Sequence, residues 1–143
     1  MRNKGINRVS VVEKGVLFDG AEDACRHLAQ KYRLAIVTNG IREVQMARFS
    51  SSPLEPFIER VIVSEDAGYS KPHRGIFDYA FRVLGHSDKE TTLIVGDSLT
   101  SDIEGGIRFG IKTCWYNPHR KPTHQEIRPD YEITDLKELA EFL

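Results

Sequence analysis

The chain has 143 residues, of which 40% are apolar and 29% are charged, and its formal net charge is −1. This composition is typical of a globular domain with a hydrophobic core, and the near-neutral charge favours neither nucleic acid nor a membrane as a partner. No stretch is apolar over the roughly eighteen residues that a transmembrane helix needs.

The first residues, Met1–Gly5, lack the apolar core of a signal peptide. Cys25 and Cys114 are too far apart to match the spacing of a metal site. We therefore expect a cytoplasmic protein with two buried thiols, because a reducing compartment keeps such cysteines free.

Helical and strand patterns alternate along the chain after a short apolar run at Val9–Val12. Turn signals such as Asp19–Gly20 and Asn39–Gly40 separate the predicted elements. The predicted elements are helices over about 21–32, 41–50, 75–84, 101–109 (closed by Gly110) and 135–143 (capped by Thr134), and strands over 33–38, 61–63, 92–96, 112–116 and 131–133.

This alternation predicts an α/β fold, because parallel strands need crossover connections that place helices on both faces of the sheet. The strand over 92–96 is apolar, as expected where both faces are covered. We expect the helix over 41–50 to carry Val44 and Ala47 on one face. Ligands of such sheets bind beyond the carboxyl ends of the strands, so the polar residues there are the candidate site.

Thr38, Asn39 and Gly40 follow the first clear strand. Their hydroxyl, carboxamide and backbone N–H groups can bind an oxyanion such as phosphate. The alternative is a plain turn with Asn39 in the left-handed region. Lys71 lies in a loop before Pro72, where it either neutralises a phosphate or is a solvated surface lysine.

Asp97 and Asp102 follow the strand over 92–96, and two carboxylates placed there can hold Mg²⁺ through their oxygens. Alternatively Asp97 is a turn residue, and Asp102 or Ser101 caps a helix. Thr38, Lys71 and Asp97 each come just past a strand of one predicted sheet, which favours a shared site over separate local roles.

Three strings of the chain, taken in order, resemble the motifs of the haloacid dehalogenase-like (HAD) superfamily of phosphohydrolases. Residues 36–40 (IVTNG) resemble its second motif, residues 70–72 (SKP) its third and residues 96–102 (GDSLTSD) its fourth. The resemblance extends from about residue 15 to residue 143. Through SEDAGYSKP and TCWYNP the chain is most similar to nucleotidases that act on pyrimidine nucleoside monophosphates.

The resemblance implies a Rossmann-like three-layer core and a Mg²⁺-dependent phosphomonoesterase acting on a small phosphorylated metabolite, in particular a nucleoside monophosphate. In such enzymes an aspartate attacks phosphorus, and a second acid two residues later protonates the leaving group. Thr38 and the Asn39 amide, in the loop that ends at Gly40, would bind phosphate oxygens. Lys71 would neutralise charge, Asp97 would ligate Mg²⁺, and Asp102 would support or ligate it.

The family's first motif, Asp-x-Asp-x-Thr, has no counterpart in this sequence, since Asp19 and Asp23 are four positions apart. The segment around Asp19 better resembles the loop that leads from the family's cap domain back into the core. We therefore expect residues 1–18 to be a remnant of the cap or linker, or a surrogate strand, and residues 19–143 to form the core. Without a nucleophile we expect little or no hydrolysis by this chain alone.

The missing strand is central in the family's sheet, so its absence would leave backbone groups unpaired in the core. Val9–Val12 is the one candidate replacement in the sequence, and it would bring Glu13 near the nucleophile's position. Alternatively a second chain adds a strand, which predicts a homodimer or strand exchange.

Three other functions remain open at this stage. The chain could be a non-catalytic module that binds phosphate or a nucleotide, or a haloacid dehalogenase, although the metal-type string at 96–102 argues against a reaction that needs no Mg²⁺. A receiver-like domain with two acids is disfavoured because Lys71 precedes Asp97.

Overall fold

A computed structural model describes residues 9–12, 19–123 and 126–143 of the chain, with only the backbone described for 9–12. Its strands are β1 (Val9–Val12), β2 (Arg33–Thr38), β3 (Arg60–Val63), β4 (Thr92–Gly96), β5 (Lys112–Tyr116) and β6 (Tyr131–Ile133). Its α-helices are α1 (Ala21–Leu28), α2 (Arg42–Ser50), α3 (Ser64–Ala67), α4 (Arg74–Leu84), α5 (Glu104–Phe109) and α6 (Leu139–Phe142). None of these helices is long and apolar enough to cross a membrane.

The strands form one parallel sheet in the order β3-β2-β1-β4-β5-β6, which confirms the predicted α/β fold. The central position belongs to β1, whose Val11 aligns with Ala35 of β2 and Ile94 of β4. Val9–Val12 therefore pairs with both neighbours, and these two edges need no strand from a second chain. Homodimerisation and the boundary at residue 18 stay predictions. Glu13 lies outside the described residues.

Helices cover both faces of the sheet, because side chains alternate along each strand. In β4, Leu93 and Val95 join the buried cluster beneath α1 and α6, whereas Ile94 joins the cluster beneath α4 and α5. Buried members of the first cluster include Cys25, Leu28, Leu34, Cys114, Leu136 and Leu139. Buried members of the second include Ala35, Val37, Ile62, Ile76, Phe77 and Phe109.

The helix predicted after β2 is present as α2, and it lies on the surface of the protein. No residue of α2 is buried, and Val44 is 50% exposed. The physical reason is its position: α2 contacts β3, the edge strand, and the short helix α3, so neither sheet face lies beneath it.

Two helix starts also differ from the prediction, because other side chains cap them. A π-helical turn, Leu99–Ile103, precedes α5, and Ser98 rather than Ser101 or Asp102 caps it by accepting from the Ser101 N–H. Asp135 rather than Thr134 caps the C-terminal helical segment, in a capping box with Glu138. Gly110 ends α5 in the left-handed conformation, as predicted.

Candidate functional site

The polar residues singled out in the sequence lie at the carboxyl edge of the sheet. Thr38 ends β2 and Asp97 follows β4. Ala35 of β2 and Ile94 of β4 both align with Val11 of β1. Thr38 and Asp97 each lie three residues after these aligned positions. The two are therefore level, with β1 between their strands. Lys71 reaches the same edge from the loop that follows β3 and α3. Ligands of open parallel sheets bind at this edge.

Lys71 is buried and paired, so the interpretation of a solvated surface lysine is wrong. Its Nζ donates to Asp102 Oδ1 over 2.7 Å, and the two side chains are 1% and 0% exposed. Asp102 Oδ2 accepts from the Ser98 N–H over 3.1 Å. Both carboxylate oxygens of Asp102 are thus engaged by the protein, which favours a role in holding Lys71 over direct ligation of a metal.

Gly96 allows this arrangement because it has no side chain. A Cβ at this position would lie 2.3 Å from Asp102 Oδ2, far inside van der Waals contact. The glycine of the Gly-Asp turn is therefore needed for the close approach of the Asp102 carboxylate to the end of β4.

The Asn39 carboxamide is bound to the Lys71 loop. Asn39 Oδ1 accepts from the Lys71 N–H over 2.8 Å, and Asn39 Nδ2 donates to the Lys71 carbonyl oxygen over 3.3 Å. Asn39 does not have the positive φ that the plain-turn alternative requires. Its side chain thus joins the loop after β2 to the loop after α3.

Gly40 is anchored to the start of α3. Its N–H donates to Ser64 Oγ over 2.8 Å, and its carbonyl oxygen accepts from Ser64 Oγ and from the Glu65 N–H. The Thr38 hydroxyl donates to the Asn39 carbonyl oxygen over 3.4 Å, a long and weak bond that an anion could readily replace. Of these predicted phosphate ligands, Thr38 is therefore the side chain least committed to the protein.

Asp97 has an unsatisfied acceptor. Its Oδ1 is buried and has no hydrogen-bond partner among the described residues, while its main-chain oxygen accepts from Trp115 Nε1 over 3.0 Å. A buried polar atom without a partner is costly, so its presence in a native fold points to a ligand. A carboxylate oxygen accepts hydrogen bonds or binds a cation, and Mg²⁺ is among the cations that prefer oxygen ligands.

A cavity of about 330 Å³ opens beside Asp97 on the β5 side of the sheet. Burial, and then the negative charges of Asp135, Asp19 and Asp97, raise the pKa of Tyr116 in its wall. The carboxylates of Asp19 and Asp97 thus line this cavity together with the Lys121 ammonium. Its lining residues are Asp19, Asp97, Tyr116, Asn117, Pro118, His119 and Lys121.

Sequence reasoning missed Asn117, which is 2% exposed and holds the turn in the cavity wall. Its Nδ2 donates to Glu132 Oε2 and to the Lys121 carbonyl oxygen, and its Oδ1 accepts from the Lys121 N–H. In the sequence Asn117 belongs to the string TCWYNP and to an Asn-Pro turn, and neither reveals its partner on β6.

These residues fit Mg²⁺ only in part. The described residues contain no group of three His, Cys, Asp or Glu side chains that could hold a metal ion. Magnesium, however, is often bound by one or two carboxylates, with water and substrate phosphate completing the coordination. Asp97 beside a phosphate bound at Thr38 and Lys71 would satisfy that requirement, and Asp97 Oδ1 is the atom available for it.

The chain is similar to a known protein family and to several characterised proteins. The family model described as haloacid dehalogenase-like hydrolase matches residues 4–116. The HAD-hydrolase YfnB of Bacillus subtilis is 47% identical over 127 residues, which are 89% of this chain and 54% of YfnB. Two pyrimidine 5'-nucleotidases also match: YjjG of Escherichia coli (35% identity, 87% of this chain, 55% of YjjG) and PynA of Streptococcus pneumoniae (36%, 93% and 56%).

The crystal structure of YfnB bound to magnesium superposes with a TM-score of 0.85, covering 88% of this chain and 55% of that one. The chain thus spans about half the length of the curated relatives it matches. The second, third and fourth motifs meet at one sheet edge, and the family model covers well over half of the chain. The chain belongs to the haloacid dehalogenase-like hydrolase family.

Proposed function

We propose that this chain supplies the phosphate- and Mg²⁺-binding part of a phosphomonoesterase that acts on nucleoside 5'-monophosphates. The observation that carries the proposal is one sheet edge that holds both the buried Lys71 ammonium and a buried Asp97 oxygen to which no residue in the described part of the chain is hydrogen-bonded. Together they offer a cation for phosphate oxygens and an anion for a metal. The relatives YjjG and PynA, both pyrimidine 5'-nucleotidases, support the choice of substrate class.

Each residue has a distinct role in binding the phosphoryl group. The Lys71 ammonium stabilises negative charge on the phosphate, and Asp102 holds the ammonium in a buried position where water screens its charge little. The Thr38 hydroxyl donates to a phosphate oxygen. Asp97 holds Mg²⁺, which, when bound, neutralises charge on the phosphate oxygens. YfnB, whose crystal structure was determined with magnesium bound, supports this choice of metal.

The 143-residue chain itself is proposed to bind its ligands without hydrolysing them. The absence of an Asp-x-Asp-x-Thr string from this sequence supports the proposal. Loss of a nucleophile leaves only the acceleration that binding and electrostatics supply. We further propose a cytoplasmic location, in keeping with two buried free cysteines.

The first experiment measures phosphate release from UMP, dTMP and p-nitrophenyl phosphate, with and without Mg²⁺, by the wild-type chain and Asp97→Asn. The expected result is no turnover above that of the variant. Turnover that requires Mg²⁺ and disappears in Asp97→Asn would contradict the proposed lack of hydrolysis. Glu13→Gln and Asp19→Asn would then identify the nucleophile.

A second experiment tests binding. Trp115 is the only tryptophan and contacts the Asp97 main chain, so its fluorescence is suited to report Mg²⁺ titrations with phosphate present. We expect saturable binding that Asp97→Asn weakens at least about tenfold, because the variant loses a charged ligand. Asp78→Asn, an exposed carboxylate on α4, is the control. If calorimetry also detects no binding of Mg²⁺ or phosphate, the proposed function is wrong.

A further inference from the structure

The loop that carries Lys71 is fixed by one side chain from another loop. The Asn39 carboxamide accepts from the Lys71 N–H over 2.8 Å and donates to the Lys71 carbonyl oxygen over 3.3 Å. Both ends of the carboxamide thus bind the backbone of a single residue that is 32 positions away. Two such bonds set the position and the orientation of that peptide segment.

Lys71 needs a fixed backbone because its own side chain is flexible. A lysine has a four-carbon stem whose rotations move the charge by several ångströms, and only fixing both ends restricts it. Asp102 fixes the ammonium over 2.7 Å in a site that is 1% exposed. Asn39 fixes the other end of the same residue.

We propose that the Asn39 carboxamide is a positioning residue that holds Lys71 in place for the phosphate, and that it is not itself a phosphate ligand. The inference rests on the proposed function and assigns the Asn39 side chain a role different from the one implied by family resemblance. Through Asn39, Lys71, Asp102 and Ser98, continuous contacts join the loops after β2, α3 and β4.

The competing role is direct contact, since an asparagine Nδ2 carries a second hydrogen that could point at phosphate. The two roles differ in what happens once Lys71 is removed. A residue that acts through Lys71 has no effect without it, whereas a direct ligand keeps its effect. The appropriate background is Lys71→Met/Asp102→Asn, which removes both charges of the pair and keeps an acceptor for the Ser98 N–H.

The experiment measures the Kd of inorganic phosphate at saturating Mg²⁺ by calorimetry, and by ³¹P NMR where binding is weak. We expect Asn39→Ala to weaken phosphate binding about tenfold in the wild type and less than about twofold in the Lys71→Met/Asp102→Asn background, a coupling usual for residues in contact. Mg²⁺ affinity is expected to stay within about twofold, since Asp97 does not contact Asn39. An equal loss in both backgrounds would overturn the proposal.

The control is Glu59→Ala, which also removes a two-bond contact. Glu59 binds Arg33, at the opposite end of β2 from Asn39, through bonds of 2.9 and 2.6 Å. If Asn39→Ala acted only by loosening the fold in general, Glu59→Ala would weaken phosphate binding as well. We expect instead that the phosphate affinity of Glu59→Ala stays within about twofold of wild type.

Hydrogen exchange of the Lys71 amide tests the same role without phosphate. Asn39→Ala is expected to speed this exchange at least about tenfold, whereas Asn39→Asp, which keeps the Oδ1 acceptor, is expected to retain protection. Unchanged exchange in Asn39→Ala would overturn the proposal. If the wild type bound neither phosphate nor Mg²⁺, the proposed function would fail, and the exchange data would still decide whether Asn39 fixes Lys71.

Discussion

Lys71 Nζ and Asp102 Oδ1 lie 2.7 Å apart although 31 residues separate them in sequence, and both side chains are excluded from solvent. Desolvation makes such a pair a weak source of stability. The pair instead fixes the position of the Lys71 ammonium at the sheet edge. At the same edge, Asp97 Oδ1 has no hydrogen-bond partner among the described residues. The pair therefore constrains both the stability of the fold and the chemistry of the site.

Removing one charge of this pair should cost more than removing both. Asp102→Asn keeps an acceptor for Ser98 but removes the buried carboxylate that pairs with the Lys71 ammonium, and we expect a loss of about 3–5 kcal/mol in the free energy of unfolding. Lys71→Met/Asp102→Asn should recover most of that loss. Urea unfolding followed by circular dichroism gives both values, and a cost below about 1 kcal/mol for Asp102→Asn would show that the pair is not buried as described.

Gly96→Ala should disturb the same pair from the other side. The new Cβ would lie 2.3 Å from Asp102 Oδ2, so the carboxylate must move away from Lys71 and Ser98. We expect a loss of about 1–3 kcal/mol in unfolding free energy together with weaker phosphate binding. Gly85→Ala is the control, because Gly85 has a positive φ and open space around it. It should lower stability by about 1 kcal/mol and leave phosphate binding unchanged.

The sequence was sufficient to place the site but not to describe its contacts. Thr38 and Asp97 could be predicted at one sheet edge because strand ends are readable from apolar runs and turns. The roles of Asn39 and Asp102 could not be predicted, since their contacts with Lys71 span 32 and 31 residues and depend on how three loops meet.

The burial of α2 could not be predicted for a related reason. Helical spacing of Val44 and Ala47 predicts an apolar face, but it does not indicate whether a second layer lies opposite that face. In this fold α2 contacts the edge strand β3 and the short helix α3, and Val44 remains 50% exposed. The local periodicity therefore predicts that a helix forms here, but it does not predict whether that helix is buried.

Stability should fall steeply above about pH 9 because of the two buried thiols. Burial raises the pKa of Cys25 from its ordinary 9.0 to about 11, and burial together with the charge of Glu138 raises the pKa of Cys114 to about 12. Above pH 9 the unfolded chain therefore releases protons that the folded chain retains. The free energy of unfolding then decreases by about 1.4 kcal/mol per pH unit for each thiol, until the folded pKa is reached.

The measurement is urea unfolding between pH 8 and 11 in a reducing buffer. Cys25→Ala/Cys114→Ala should show a slope shallower by about 1.4 kcal/mol per pH unit for each cysteine removed. Both thiols are also expected to resist alkylation at pH 8 in the folded protein and to react in urea, because only the thiolate is nucleophilic. Identical slopes in the two proteins would mean that the thiols titrate normally in the fold.

The central position of β1 gives the last prediction. Val11 aligns with Ala35 on one side and Ile94 on the other, so its backbone lies within two parallel ladders. Val11→Pro removes an N–H and cannot be accommodated in a central strand, and we expect a loss of about 3 kcal/mol or more. Val11→Ile keeps the N–H and controls for a change of side chain.

Thermal unfolding and light scattering after size exclusion measure stability and oligomeric state together. A Val11→Pro chain that remained as stable as wild type would show that β1 does not hold the sheet together. A shift of that variant to a stable dimer would indicate that a strand from a second chain replaces β1 between β2 and β4.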